Sequence, residues 1–251
     1  MSHRWGIIPA AGLGTRIQPL AFSKELLPVG TRLDGNVERP RAVSEHLLER
    51  MLLAGVDRIC FIISPAKTDI VSYFGARIGK VPICYVVQQN PYGLCDSLFS
   101  ALPFISAEDQ VLVGLPDTIW FPACGFAHLS DGKFTFLLFP VERPELFDSV
   151  LTDADDRVTH VRVKDPEIKS KWVWGAFKLT GHHFAELHQL WLARRSSDEY
   201  LGTLVNAYVD GGAHVYAVKR GEIYVDVGTL HGYREAVRVL SRDLLADEIA
   251  S

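Results

Sequence analysis

Three short segments of the chain consist almost entirely of apolar residues, and they limit the possible folds more than any other feature. They lie at residues 58–63, 83–87 and 110–115. Strands that are covered on both faces have such continuous apolar runs, as in parallel sheets flanked by helices. Helical patterns separate the three runs. We therefore predict right-handed crossovers and an α/β fold with three layers and a mostly parallel, mixed sheet.

The predicted helices follow from apolar residues at helical spacing. Ser44 is predicted to cap a helix that carries Leu47, Leu48 and Met51 and that Gly55 closes. Other helices are predicted at 67–74, 94–102, 181–195 and 199–209. A long amphipathic helix is predicted over 229–249, with an apolar side formed by Tyr233, Val237, Leu240, Leu244 and Leu245. Further strands are predicted at 134–141, 158–163, 172–179, 214–218 and 222–225.

Composition limits the class of protein. The chain has 251 residues with 48% hydrophobic content, and it lacks internal repeats and linker-like tracts, so we expect one domain over residues 1–251. A formal charge of −4 argues against a nucleic-acid partner. No apolar run is long enough for a membrane span, so we expect a cytoplasmic protein without a membrane partner. The four cysteines are expected to be buried thiols: Cys60, Cys84, Cys95 and Cys124.

A glycine-rich loop follows the first predicted strand, in the stretch PAAGLGTRIQP from Pro9 to Pro19. Gly12 and Gly14 lack Cβ atoms, so backbone N–H groups there can approach an anion closely. Ile17 stands where a dinucleotide fingerprint needs its third glycine, and the Gly-Lys-Ser/Thr of a P-loop is absent. The loop therefore predicts a phosphate site of another type.

Two cations lie on the arm that continues from this loop. Pro19 prevents a helix from starting directly after the glycines, so the arm is expected to be extended. Arg16 offers a bidentate guanidinium and Lys24 an ammonium. Together they are suited to neutralising a triphosphate.

Four separated motifs resemble those of the sugar-phosphate nucleotidyltransferase family, in particular glucose-1-phosphate thymidylyl- and uridylyltransferases. The motifs are Ala10-Ala11-Gly12-Leu13-Gly14-Thr15-Arg16 with Lys24-Glu25-Leu26-Leu27-Pro28-Val29; Tyr85 to Gln88 with Pro91 to Leu94; Gly114 to Ile119; and Val225 to Thr229. The resemblance implies a Rossmann-like nucleotidyltransferase fold. It also implies a nucleotide-binding half at about 1–120, a sugar-binding half at about 121–228 and a C-terminal helix at 229–249.

The resemblance implies a reaction in which a sugar-1-phosphate attacks the α-phosphorus of a nucleoside triphosphate, UTP or dTTP, and releases pyrophosphate. The attacking phosphate is already ionised, so the protein must align and neutralise two anions. Arg16, Lys24 and Asp117 are the expected catalytic residues. Asp117 and Asp226 both end predicted strands, and their carboxylates suit a Mg²⁺ cofactor that also binds phosphate oxygens.

The same resemblance assigns the remaining binding residues. Ala10, Ala11, Gly12, Gly14, Thr15 and Arg16 are expected to bind the nucleotide. Gln88 is expected to read the base through its amide, in preference to Gln89, with Gly93 against the base ring.

For the sugar phosphate, the expected residues are Lys164, Gly175 and Glu199. Lys164 stands one position away from the family's lysine, which in a strand would turn the side chain to the opposite face. Lys169 and Lys171 are therefore alternatives.

Two other functions remain open at this stage. The displaced Lys164 is compatible with a catalytically silent protein that binds nucleotide sugars and acts in regulation. A cytidylyltransferase that acts on a non-sugar phosphate would keep the chemistry and change the acceptor. We expect at most a small homo-oligomer.

Overall fold

The computed structural model describes residues 2–250, with side chains up to residue 241. Fourteen strands and six α-helices are formed. The strands are β1 Arg4–Pro9, β2 Pro28–Asp34, β3 Val37–Ala42, β4 Arg58–Ile63, β5 Arg77–Ile78, β6 Val81–Val87, β7 Gln110–Gly114, β8 Thr118–Phe121, β9 Thr135–Pro140, β10 Asp148–Thr152, β11 Val158–Val163, β12 Trp172–Thr180, β13 Tyr216–Val218 and β14 Ile223–Asp226. The helices are α1 Val43–Leu53, α2 Thr68–Phe74, α3 Gly93–Phe99, α4 Gly181–Ala193, α5 Leu201–Asp210 and α6 Leu230–Ala250.

One mixed sheet runs through the molecule in the order β11-β10-β12-β7-β1-β4-β6-β5, with β9 and β13 attached through β12. The predicted apolar runs form β4, β6 and β7, which are parallel to β1 and to one another. From β12 onward the pairing is mainly antiparallel. The predicted α/β fold with a mixed sheet is confirmed.

Helices cover both faces of this sheet. The alternation of side chains along β1 sends Ile7 into one core and Ile8 into the other. The first core includes residues of α3, α4 and α5, and the second includes residues of α1 and α2. Each large apolar side chain that is fully buried contributes about 1.5–3 kcal/mol to this packing. The layers leave the carboxyl ends of the parallel strands at one edge of the sheet.

Two small antiparallel units lie beside the main sheet. One is the hairpin of β2 and β3. The other pairs β8 with β14, and we call it the β8–β14 ribbon. A third apolar cluster joins both units to α6 and includes Val29, Ile119, Val225 and Ala236. The terminal helix therefore packs against the ribbon that carries the two aspartates predicted to bind metal.

Three details differ from the sequence predictions. Ala42, not Ser44, occupies the cap position of α1, and the Ser44 hydroxyl instead donates to the Glu25 carbonyl oxygen at 2.6 Å. All four cysteines are free thiols, but Cys84 is only partly buried and Cys124 is exposed. The strands β2, β3, β5, β8 and β10 were not predicted.

The prediction for the terminal helix is only partly testable. The side chains of Leu244 and Leu245 lie outside the described residues, whereas Tyr233 and Leu240 pack against the third cluster. Among the helices that the structure describes, none combines the length and apolar character needed to cross a membrane.

Candidate active site

The glycine-rich loop leaves β1 at the carboxyl edge of the sheet. Ala10 and Ala11 are fully buried, and the Ala10 N–H donates to the Ile62 carbonyl oxygen at 2.7 Å. Gly14 adopts φ +65°, and a Cβ on it would lie 2.7 Å from Lys24 Cδ. The Lys24 side chain therefore packs directly on Gly14. The prediction of an extended arm is wrong, because residues 15–17 form a turn and Lys24 begins the short 3₁₀ helix Lys24–Leu26.

The two aspartates meet at one end of the β8–β14 ribbon. Asp226 pairs with Thr118 across the ribbon, and the Val227 N–H donates to the Asp117 carbonyl oxygen at 2.8 Å. A Cβ on Gly228 would lie 2.8 Å from Asp226 Oδ1 and 3.1 Å from Asp117 Oδ2. Both carboxylates thus border the same small space, although 109 positions separate them in sequence (226 − 117).

Each aspartate is paired with one of the predicted cations. The Lys24 ammonium contacts Asp117 Oδ2, and the Arg16 guanidinium lies 3.1 Å from Asp226 Oδ2. Burial opposes the ionisation of Asp117, but the charge and the hydrogen bond of Lys24, a backbone hydrogen bond and the Arg16 charge together outweigh it and hold the pKa of that carboxyl below its usual range. Burial likewise opposes the Lys24 ammonium, yet the Asp117 and Glu25 charges raise the pKa of Lys24. The pair is therefore charged at neutral pH.

A second ion pair, between Lys67 and Glu25, contacts the start of the glycine-rich loop. This pair was not predicted from the sequence. The Lys67 ammonium donates to the Ala10 carbonyl oxygen and to Glu25 Oε1, both at 2.7 Å. Glu25 is 1% exposed. Burial is the main reason that the pKa of Glu25 is raised and the pKa of Lys67 is lowered. This pair ties the start of the loop to the residue that follows Lys24.

Gln88 lies at the end of β6 with its amide orientation set by α3. Its Nε2 donates to Asp96 Oδ2, and its Oε1 accepts from the Ser97 hydroxyl at 2.7 Å. An amide has two N–H donors and two acceptor lone pairs, so one donor and one acceptor remain free for a ligand. Neither Asp96 nor Ser97 was identified from the sequence, although both lie in α3, the helix that follows Gln88.

The structure joins two predicted residues that the sequence analysis treated separately. A Cβ on Gly93, which adopts φ +74°, would lie 2.6 Å from the Glu199 carbonyl oxygen. The Leu94 N–H also donates to this oxygen at 2.9 Å. Gly93 is therefore needed for a close contact with Glu199, and its predicted contact with a base stays a prediction.

Lys164 follows β11 in a left-handed conformation with φ +44°. Its side chain is exposed, and its ammonium lies 4.5 Å from the centre of the Tyr200 ring. Since Tyr200 adjoins Glu199, the structure places Lys164 near the acidic residue predicted for the sugar. Because the backbone at Lys164 has left the strand conformation, the alternation of side chains along β11 does not set the direction of this side chain.

Gly175 lies on the central part of β12, where the pairing with β9 is irregular. A Cβ there would lie 2.4 Å from the Tyr224 ring. Burial, followed by the charges of Asp226 and Asp117, raises the pKa of Tyr224 well above its ordinary value. The Tyr224 phenol therefore stays neutral and packs against Gly175.

The donor set of this cleft limits the metal that it could hold. Among the described residues, no group of three or more His, Cys, Asp or Glu side chains surrounds one point. Two carboxylates that border one space match Mg²⁺, which commonly takes one or two protein carboxylates and completes its shell with water and phosphate oxygens. The residues present therefore fit a Mg²⁺ that arrives with a phosphate ligand.

An α/β sheet with a glycine loop, paired cations and converging carboxylates at its carboxyl edge defines a class of proteins that bind and transfer phosphate-linked groups. Residues 5–242 match the family described as Nucleotidyl transferase. This chain belongs to that family.

Individual proteins support the assignment. A glucose-1-phosphate thymidylyltransferase from Mycolicibacterium smegmatis is 29% identical over 248 residues, which cover 92% of this chain and 80% of that protein. A crystal structure from Bacillus anthracis has a TM-score of 0.79 at 23% identity and covers 94% of this chain and 95% of its own. The UTP-bound UGPase from Acinetobacter baumannii has a TM-score of 0.74 at 19% identity, with coverages of 94% and 92%. At these identities the two structures establish the fold alone.

Proposed function

We propose that this protein joins a pyrimidine nucleoside triphosphate, UTP or dTTP, to a sugar-1-phosphate and releases pyrophosphate. One observation carries the proposal: Asp117 and Asp226 border a single space, and Lys24 and Arg16 each contact one of them beside the glycine loop. The activity in the name of the Mycolicibacterium relative and the UTP bound to the Acinetobacter structure support this choice of substrates.

The residues divide the work by charge. In the reaction, an oxygen of the sugar phosphate forms a bond to the α-phosphorus, and the bond between that phosphorus and pyrophosphate breaks. No proton needs to be removed from the attacking oxygen. Lys24 and Arg16 neutralise the phosphates, and the loop N–H groups fix their position. Asp117 and Asp226 would hold Mg²⁺, which supplies further charge neutralisation at the phosphates.

The two cations also balance the charge of the aspartates. Each carboxylate is paired with one cation, so the charges within the cleft compensate one another. A triphosphate that carries Mg²⁺ would supply a cation for the carboxylates and anions for Lys24 and Arg16. Each charged side chain would then keep a partner of opposite charge, which would limit the cost of desolvating the cleft.

Recognition of the base is assigned to Gln88. With Asp96 and Ser97 holding its amide, the free N–H and the free lone pair form one donor and one acceptor. Uracil and thymine present the matching N3–H and carbonyl groups, and they differ only in a methyl group that Gln88 does not contact through hydrogen bonds. Gln88 would therefore select pyrimidines of this type over cytosine without separating UTP from dTTP.

The decisive experiment is a grid of four nucleoside triphosphates against sugar-1-phosphates, scored by pyrophosphate release and by the mass of the product. We expect product with UTP or dTTP only. Asp117→Asn should keep the fold and reduce pyrophosphate release by a factor of roughly one hundred or more. The reason is that it removes the negative charge of a carboxylate that would hold Mg²⁺ at the phosphates. Asp155→Asn, in an exposed turn, is the matched control and should be fully active.

The grid also separates the alternatives. Tight binding of a nucleotide sugar, with no pyrophosphate release from any combination of triphosphate and sugar phosphate, would favour a regulatory protein. The displaced Lys164 is the reason to consider this alternative. Product from CTP and a phosphate without a sugar would favour a cytidylyltransferase. Full activity of Asp117→Asn would contradict the proposed metal site.

A further inference from the structure

The side-chain amide of Gln88 can occupy its site in two orientations, which differ by exchange of the oxygen and the NH₂ group and have nearly the same shape. Uracil and thymine present an N3–H donor beside a carbonyl acceptor. Cytosine presents an N3 acceptor beside an amino donor, so its pattern is the reverse. One orientation of the amide therefore matches uracil and thymine, and the other matches cytosine. A protein that reads a base through this side chain must fix the orientation to tell these bases apart.

Ser97 holds the amide in place without selecting an orientation. Gln88 is 8% exposed and Ser97 is 5% exposed, so the hydrogen bond between them is shielded from water. The Ser97 hydroxyl donates to Gln88 Oε1 at 2.7 Å. A hydroxyl can also accept, so it would bond equally well to the amide nitrogen if the amide were turned over. Another group must decide between the two orientations.

Asp96 is the group that distinguishes them. Its Oδ2 accepts from Gln88 Nε2, and an ionised carboxylate can only accept. In the reversed amide, the carbonyl oxygen of Gln88 would face this carboxylate oxygen, and two acceptors repel each other. The native orientation instead gains a hydrogen bond to a charged group, which is stronger than one between neutral groups. Asp96 therefore strongly favours one orientation of the amide.

The backbone holds both partners of this hydrogen bond in place. The Tyr92 N–H donates to the same oxygen of Asp96 at 3.1 Å, at the start of α3. The Gln88 N–H donates to the Ile63 carbonyl oxygen at 2.8 Å, which fixes the end of β6 against β4. Asp96 therefore cannot turn away from the amide without losing a backbone contact. The protein's own groups thus set the orientation of Gln88.

We propose that Asp96 determines the pyrimidine specificity of the protein by fixing the orientation of the Gln88 amide, so that uracil and thymine are accepted and cytosine is rejected. Asp96 acts through Gln88 and is a positioning residue. The proposal rests on the proposed function and specifies which side chain gives that function its base preference.

The test measures kcat/KM for UTP and CTP with the same sugar-1-phosphate, or for dTTP and dCTP if the deoxynucleotides are preferred. Asp96→Ala removes the acceptor and leaves Ser97 as the partner of the amide, so both orientations become accessible. The preference over the cytosine nucleotide should fall about tenfold or more. Asp96→Asn keeps an oxygen that can accept from Tyr92 and Gln88, and it should retain most of the native preference.

Ser97→Ala is the matched control on the same helix. It removes one hydrogen bond to the amide but not the group that selects the orientation. We therefore expect kcat/KM to fall by a similar factor with both nucleotides, so that the native preference is kept. A general disturbance of α3 would affect the two alanine variants alike, so the preference separates positioning from a merely structural role.

Asp96→Ala should fold, because Asp96 is only partly buried and alanine is a strong helix former. Thermal unfolding checks this. Asp96→Ser takes its place if the alanine variant does not fold, and the same fall in preference is expected because a hydroxyl both donates and accepts. The inference is overturned by a native preference in the folded variant, by an equal fall in Ser97→Ala or Asp96→Asn, or by a native protein that uses both nucleotides equally.

A native protein that releases no pyrophosphate from any nucleotide would refute the proposed function, and binding then tests the inference. Calorimetric titration with UTP and CTP in MgCl₂ should show tighter binding of UTP to the native protein. This difference in affinity should be about tenfold smaller in Asp96→Ala. Binding of neither nucleotide, equal affinity of the native protein for both, or the same difference in both proteins would overturn the inference.

Discussion

Gly14 is the residue where backbone conformation and side-chain packing both require a glycine. Its φ of +65° lies in the left-handed region, and a Cβ would meet the stem of Lys24 at 2.7 Å. Gly12 differs, because a Cβ there would have no heavy atom within 4 Å. Substitution of Gly14 should therefore strain the backbone, whereas substitution of Gly12 should affect only the space open to a ligand.

We predict that Gly14→Ala lowers stability by about 1–2 kcal/mol, from the left-handed conformation alone, and reduces pyrophosphate release because Lys24 is displaced. Gly12→Ala should keep the native melting temperature. Thermal unfolding of both variants, together with their rates of pyrophosphate release, checks this. Equal loss of stability in the two variants would contradict the structural argument.

His46 connects stability to pH. It is 3% exposed, and its Nε2 lies 2.9 Å from the Val29 carbonyl oxygen. Burial, and then the positive charge of Arg41, lowers the pKa of His46 from 6.5 to about 4. Between these two values the unfolded chain binds a proton that the folded chain does not. The free energy of unfolding should therefore decrease as pH falls through this range.

The expected loss between pH 6.5 and pH 4 is at most roughly 3 kcal/mol. His46→Gln should abolish this part of the pH dependence, since glutamine keeps an N–H donor and does not titrate. His128→Gln, at an exposed position, is the control and should retain the native slope. Urea unfolding at a series of pH values measures the effect. A slope that is the same in all three proteins would refute it.

At the scale of elements, the loop, the turn after it and α2 are held together by one buried ion pair. Lys67 precedes α2 directly, and Glu25 lies in the 3₁₀ turn Lys24–Leu26. Removal of one partner from such a pair leaves an uncompensated charge in the interior. The element that positions Lys24 therefore depends on a residue more than forty positions away.

Lys67→Met should lower the free energy of unfolding by about 3–5 kcal/mol at pH 7.5. The unpaired Glu25 then has its pKa raised in the folded state, so this variant should regain stability as pH falls toward 4.5. The double variant Lys67→Met with Glu25→Gln should be more stable than the single variant at pH 7.5. A double variant that is less stable than the single one would rule out this explanation.

Several elements were missed because their signals are short or compete with others. The hairpin of β2 and β3 turns at Gly35-Asn36, a dipeptide that favours tight hairpins, but most of its residues are exposed and the alternation is weak. β8 has only four residues. The prediction that Ser44 caps α1 was wrong, because the Ser44 hydroxyl donates to the Glu25 carbonyl oxygen in the neighbouring turn. This tertiary contact replaces local capping.

At the scale of the whole molecule, ligand binding should connect parts that are distant in sequence. The loop after β1, the β8–β14 ribbon and α6 meet around the two aspartates. A ligand that binds only the folded protein stabilises it in proportion to the logarithm of its concentration. The nucleotide and the metal are therefore expected to stabilise the fold together.

We predict that UTP with MgCl₂ at one hundred times Kd stabilises the protein by about 2.7 kcal/mol. This corresponds to a rise in melting temperature of roughly 5–10 °C for a chain of this size. UTP with EDTA should produce a smaller rise, and Asp226→Asn should lose most of the magnesium-dependent part. Thermal shift measurements with Asp155→Asn as control test this. The same rise with and without magnesium would contradict the role of the aspartates.

The local sequence determined much of what was predicted correctly. Apolar runs specify β4 and β7 because strands buried on both faces exclude polar residues, whereas β6, which lies between β4 and the edge strand β5, is only partly buried. Gly14 and the cations after β1 are close in the chain, so short-range geometry brings Lys24 over the loop. Periodicity likewise predicted α4 and α5 to within a few residues.

The tertiary structure alone decided which distant residues meet. The register of β8 against β14 brings Asp226 to Asp117, and the segment before α5 places Glu199 against Gly93, the first residue of α3. The same kind of long-range pairing sets Asp148 beside Trp174. Local propensity cannot specify these contacts, because each depends on the combined packing energy of elements that only the complete sheet holds in place.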